Sequence, residues 1–116
     1  MTTVQLNLYI FTYNINNKDF DVISCKEDRL EVPHINFENN TLTLRQQLDS
    51  LFENISIEYK PVYRLLNNIY IDSLFHCVYF CVIPNYIPIK DTVFKIPVQK
   101  YGIHSPNIQQ ILQTIR

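Results

Sequence analysis

The ten residues Leu74 to Ile83, Leu-Phe-His-Cys-Val-Tyr-Phe-Cys-Val-Ile, are apolar at odd and even positions alike and dominated by β-branched and aromatic side chains. A strand with apolar side chains on both faces must be covered on both faces. This run therefore predicts a central strand, and with it a sheet sandwiched between layers. It is also far shorter than the ~20 residues a bilayer-spanning helix needs, so no membrane partner is expected. The chain has 116 residues, 47% of them hydrophobic, which is enough to bury a core without metal or disulfide staples. One domain spanning residues 1–116 is the expectation.

Other elements follow from period. Val4, Leu6, Leu8 and Ile10 alternate with Gln5, Asn7, Tyr9 and Phe11, the period of two expected of a strand from Val4 to Thr12 with one face on the core. Asn14 to Asn17 reads as a turn into a second strand, Asp19 to Glu27, closing an N-terminal hairpin. Arg29 to Pro33 is expected to extend the sheet, and His34 to Asn40 to be loop. The period then changes: Leu44, Leu48, Leu51, Phe52 and Ile55 form one helical stripe over Thr43 to Ile55, with Thr43 and Gln46 spaced as a capping box. Tyr59 to Leu66 and Ile69 to Ile83 read as strands joined by a tight turn at Asn67-Asn68, and Val93 to Val98 as a further short strand. Ser105-Pro106 begins a last helix carrying Ile108, Ile111, Leu112 and Ile115. The sum is an α+β fold: a mixed sheet with an N-terminal hairpin, one helix after the third strand and one at the C-terminus.

Charge and cysteine content narrow the function classes. The net charge is −1 with 10 scattered Lys and Arg, so the basic footprint that attracts nucleic acid is missing and nucleic acid is not the favoured partner. Three Cys, an odd number in a chain lacking a signal-peptide pattern, point to a reducing compartment: the cytoplasm, or a particle assembled there. The chain has one Gly, no Ala and no Trp, and is rich in Ile, Asn and Tyr. That bias points to an AT-rich genome such as that of a phage, a virus or a microbe.

The order of elements resembles the Nudix fold over almost the whole chain. Leu30-Glu31-Val32-Pro33 leads through a loop into the helix Thr43 to Ile55, as the family's Leu-Pro segment leads into its signature helix. Val93-Phe94-Lys95-Ile96-Pro97-Val98 is similar to the family's apolar-Pro-apolar stretch before the last helix. The resemblance implies an α/β/α sandwich and metal-assisted hydrolysis of nucleoside diphosphate derivatives, with Glu side chains holding the divalent ion. The signature box is degenerate, however. Aligned by helix ends, Asp49 to Ile57 keeps only Glu53 and the apolar Leu51 and Ile57; a register starting from Glu38 keeps that Glu and Leu48 but places Gln46-Gln47 and Ser50-Leu51 at the acidic positions. Neither retains a carboxylate cluster.

Two readings of function stand on these residues. One is a non-catalytic Nudix-like binding or structural module without a cofactor, engaging a protein partner or a larger assembly through Tyr86, Ile87 and Ile89, which sit between Pro84 and Pro88 and beyond it in an expected loop. The other is a hydrolase or nucleotide binder with a reduced Mg²⁺ site of Glu38, Asp49 and Glu53, in which Asp49 and Glu53 share a helix face at i, i+4 and Glu53 carries the catalysis. For the second, the plain alternative is a solvated face opposite the Leu stripe.

The remaining reactive side chains read as structural. Cys77 and Cys81 lie ~13 Å apart at strand rise, too far to share a zinc ion, and fit buried core thiols. His34, His76 and His104 have no patterned ligand partner, and the lone Gly102 excludes a Gly-rich phosphate loop.

Overall fold

The computed structural model describes residues 3–38, 43–56, 58–101 and 104–116; the side chains of Phe37 and Glu38 lie outside that set. Six strands, β1 (Thr3–Asn14), β2 (Asp19–Ser24), β3 (His34–Glu38), β4 (Arg64–Ile71), β5 (Leu74–Ile83) and β6 (Phe94–Pro97), form one sheet. The helices are α1 (Leu44–Glu53), the four-residue α2 (Val98–Tyr101) and α3 (Pro106–Ile115).

The doubly apolar run is β5, and it lies inside the sheet in the order β4-β5-β1-β2-β6. It pairs in parallel with β1 from Thr3↔Leu74 to Thr12↔Ile83 and antiparallel with β4. Because side chains alternate, the two faces of this pair feed separate layers. On one face Leu6, Leu8, Ile10, Cys77, Cys81 and Ile83 meet Leu48, Leu51 and Phe52 of α1. On the other, Tyr9, Phe11, Val22, Val78, Phe80 and Ile96 meet Ile108, Ile111 and Leu112 of α3. The result is an α/β/α sandwich with a mixed sheet. β1 is buried on both faces over Leu8 to Thr12, not on one as its alternation suggested, because Tyr9 and Phe11 lie under α3.

Local chemistry explains the element ends. Asn14 Oδ1 accepts the N–H groups of Asn16 and Asn17 at 3.0 and 3.2 Å, and Lys18 takes a positive φ of 54° to close the hairpin. The Thr43–Gln46 capping box is formed in both directions: Gln46 N–H donates to Thr43 Oγ1 at 3.2 Å, and Thr43 N–H to Gln46 Oε1 at 2.7 Å. Ser105 Oγ caps α3 through Ile108 N–H at 3.3 Å, with Pro106 in the first turn.

Several further expectations are corrected. The second strand ends at Ser24, and Arg29 to Pro33 is not a ladder strand: Ser24 Oγ donates to the carbonyls of Lys26 and Arg29 and accepts from Glu31 N–H, folding that segment back as a loop. His34–Glu38, expected as loop, is instead β3, paired with the first half of β1. Tyr59 to Tyr63 is not strand, since Pro61 is fully buried there and supplies no N–H to a ladder; β4 begins at Arg64 and runs straight through Asn67-Asn68. The turn falls instead at Asp72-Ser73, whose φ angles of 49° and 66° suit a two-residue hairpin loop.

Candidate functional site

The acidic face of α1 is where the resemblance placed a metal. Asp49 and Glu53 do lie one turn apart on it, but Asp49 is engaged elsewhere. Tyr63, in the segment leading to β4, donates its hydroxyl to Asp49 Oδ1 at 2.8 Å. Arg45 Nε lies 3.4 Å from the same oxygen, and its guanidinium sits 5.0 Å from the centroid of the Tyr63 ring. The three side chains form a closed arrangement: cation on aromatic face, aromatic hydroxyl on carboxylate, carboxylate on cation. Burial, followed by the hydrogen bond to Asp49 and that residue's charge, raises the Tyr63 phenol well above its ordinary pKa near 10, so Tyr63 serves as a donor throughout the neutral range.

Glu53 is exposed and borders a small recess of about 100 Å³ with Ser56, Tyr59 and Lys60. The Glu38 of the sequence expectation ends β3, and its side chain lies outside the described residues. Among the described residues no group of three His, Cys, Asp or Glu is placed to hold a metal ion. Asp49 and Glu53 are thus the described carboxylates on that face, and Asp49 Oδ1 already meets Tyr63 and Arg45.

The Pro84–Ile89 loop divides its residues. Ile87 and Ile89 are half-buried and pack against the α1-side core, whereas Tyr86 is 78% exposed. Cys77 and Cys81 are buried, on the opposite face of β5 from His76.

One cleft was not anticipated from sequence. On the α3 side of the sheet, beyond the part α3 covers, a depression of about 400 Å³ is lined by Gln5, Asn7 and Tyr9 of β1, His76 of β5, Asn67 and Ile69 of β4, and Asn107 of α3. Asn67 Nδ2 donates to Asn107 Oδ1 at 3.2 Å, and Asn107 Nδ2 donates to the Tyr9 hydroxyl at 3.3 Å. The amides were visible as polar positions within β1 and β4, but nothing local says that strands 60 residues apart and the start of α3 bring them to one wall. Carboxamides both donate and accept, so this wall suits an uncharged, hydrogen-bonding ligand.

Comparison with protein-family models and with curated protein sequences gave no match. Solved structures do match in fold. The Nudix domain of Shewanella oneidensis NrtR, complexed with ADP ribose, is 12% identical with a TM-score of 0.68, over 97% of this chain and 88% of that one. The C-terminal domain of mouse MUTYH, in complex with human PCNA, is 10% identical with a TM-score of 0.72, over 99% and 88%. A mutT/nudix family protein from Listeria innocua is 9% identical with a TM-score of 0.70, over 97% and 92%. The chain thus has a Nudix-like fold. Among the described residues no helix is long and apolar enough to cross a membrane.

Proposed function

We propose that this chain is a Nudix-like binding or structural module that engages a protein partner or a larger assembly and does not run metal-assisted hydrolysis. The observation that carries this reading is the engagement of Asp49 by Tyr63 and Arg45. A catalytic magnesium meeting Asp49 at Oδ1 would have to displace a charge-assisted hydrogen bond, and at Oδ2 it would lie close to the Arg45 cation that repels it, with Glu53 as the other described carboxylate on that face. Fold alone does not specify chemistry; the site does. Support for a protein partner comes from Tyr86, held out from the loop by Ile87 and Ile89 anchored beneath it, and from the MUTYH domain, a structure of the same fold in complex with a protein. The residue bias of an AT-rich phage or viral genome suits a small part of an assembly made in a cytoplasm.

A second reading is favoured by the amide-lined cleft: a nucleotide binder that holds a heterocycle against Asn67, Asn107 and Tyr9. The NrtR Nudix domain, complexed with ADP ribose, is the fold neighbour that supports it.

One set of samples tests both. Purified protein is incubated with nucleoside diphosphate derivatives and Mg²⁺ or Mn²⁺, and its melting temperature is followed with the same ligands. The proposal expects no turnover and no ligand-dependent rise in Tm, since binding must raise apparent stability by mass action. Turnover that requires the metal and is lost in Glu53→Gln overturns it. A Tm rise without turnover, abolished by Asn107→Ala, selects the nucleotide binder.

A further inference from the structure

β4 is the last strand on its side of the sheet, hydrogen-bonded to β5 alone. Among the described residues no further backbone hydrogen bond reaches Arg64–Ile71 from its outer side. Natural edge strands are commonly blunted by lysines, prolines or inward-pointing charge. Leu65 to Ile71 contains none of these. It carries instead Leu65, Ile69, Tyr70 and Ile71, which are 51%, 51%, 61% and 46% exposed. Register assigns these to two faces: Leu65 and Tyr70 stand opposite Tyr79 and Phe75 on one, Ile69 and Ile71 opposite His76 and Leu74 on the other. The open backbone edge is therefore flanked by apolar side chains above and below, a surface whose complement is another extended strand.

The charges indicate which strand. Arg64 begins β4 and Asp72 follows its end, with no charged residue between them. We infer that β4 pairs antiparallel with β4 of a second copy of this chain, about a twofold axis through Asn68, to join two sheets into one. In that arrangement Arg64 of each copy reaches the Ile71-Asp72 end of the other, so both ion pairs form at once and a parallel alignment gains neither. The irregularity between Leu65 and Asn67 keeps the faces in step. With the two residues of the bulge counted as one, Leu65 of one copy lies beside Tyr70 of the other on one face, and Ile69 beside Asn67 on the opposite face. A closed twofold leaves neither β4 edge open. The inference names the protein partner of the proposed module and rests on that reading only in taking the partner to be protein.

The test is the solution mass of the full chain across a concentration series, by light scattering after size exclusion, with far-UV circular dichroism confirming that each variant is folded. The expected result is a concentration-dependent dimer. Tyr70→Lys, which sets like charges on both copies along an exposed strand, gives monomer. Arg64→Asp, which faces Asp72 of the other copy, weakens the dimer about tenfold, and adding Asp72→Arg to it restores the dimer, an outcome that mere loss of the Arg64 guanidinium from its place 5.3 Å from the Phe80 ring centroid could not produce. A monomer at every concentration overturns the inference, as does a dimer indifferent to Tyr70→Lys or not recovered by the charge exchange. These outcomes are separate from the hydrolysis assay: monomeric protein without turnover removes the self-pairing and leaves the proposed function standing, and turnover removes the proposed function whatever the mass.

Discussion

Tyr63 and Asp49 are joined by a 2.8 Å hydrogen bond that ties the segment before β4 to α1, at the place where the resemblance read from the sequence put a metal. The bond links a phenol half-buried in the α1-side core to a carboxylate already facing Arg45. Structure and function meet in it, since the same contact that fixes this segment occupies one of the two oxygens through which Asp49 could meet a cation.

Removing that hydroxyl measures its structural share. Tyr63→Phe keeps the ring under Arg45 but leaves Asp49 with one partner fewer. A hydrogen bond to a charged group contributes about 1.5 to 3 kcal/mol, and Asp49 is open enough to water to recover part of it. The variant is expected to lose about 1 to 2 kcal/mol in urea unfolding with an unchanged m-value.

Alkaline pH should weaken the fold through its buried thiols and phenols. Burial pushes Cys81 up from an ordinary value of 9.0 to about 12, and also raises Cys77. Burial first, and the Glu31 charge second, raises Cys25, and burial first, with the neighbouring Cys77 thiol second, raises Tyr79. A raised folded-state pKa means that the native state keeps its proton while the unfolded chain gives its own up. The stability this represents is full below pH 9 and is lost as pH climbs from 9 towards 12. Urea midpoints measured across that range should fall steadily, and Cys81→Ala, although less stable at pH 7 because of the cavity, should show a shallower decline.

At the acid end, Arg116 Nη2 lies 2.7 Å from both carboxylate oxygens of Asp19, tying the end of α3 to the start of β2. That hydrogen bond, assisted by Phe20 N–H, holds the Asp19 carboxyl below its ordinary 3.8. The sign is opposite to that of the thiols. The contribution is present above pH 3.8 and disappears as pH falls through the lowered value. The guanidinium is about half exposed, so the pair is a surface ion pair of about 1 kcal/mol at most. Arg116→Gln should cost that much at pH 7, with the difference vanishing once Asp19 is protonated.

Much of this architecture was legible from period and end signals. The doubly apolar Leu74–Ile83 run, the leucine stripe after Thr43 and the Ser105-Pro106 start of the last helix each carry their own local physics, and each element formed as read. β3 was not legible, because His34 to Glu38 alternates weakly and becomes strand only through pairing with the distant Thr3 to Asn7. The hairpin turn was misplaced for a related reason: Asn-Asn is as good a local turn as Asp-Ser, and only the full-length ladder of β5 against β4 decides between them. At the site, the spacing of Asp49 and Glu53 was readable, but their environment was not. Tyr63, which sets the character of Asp49, lies beyond α1 in a segment the sequence cast as strand. The amide cleft and the open β4 edge likewise arise from tertiary placement of residues that look unremarkable one by one.

The claim beneath the proposed function is that the acidic face of α1 does not bind a divalent cation usefully. Manganese titration of the purified chain, followed by the water-proton relaxation of bound Mn²⁺, addresses it without assuming a substrate. The account predicts weak, non-saturating binding at millimolar metal, identical in the native chain and in Glu53→Gln. Saturable micromolar binding that Glu53→Gln abolishes and Tyr63→Phe strengthens would contradict it.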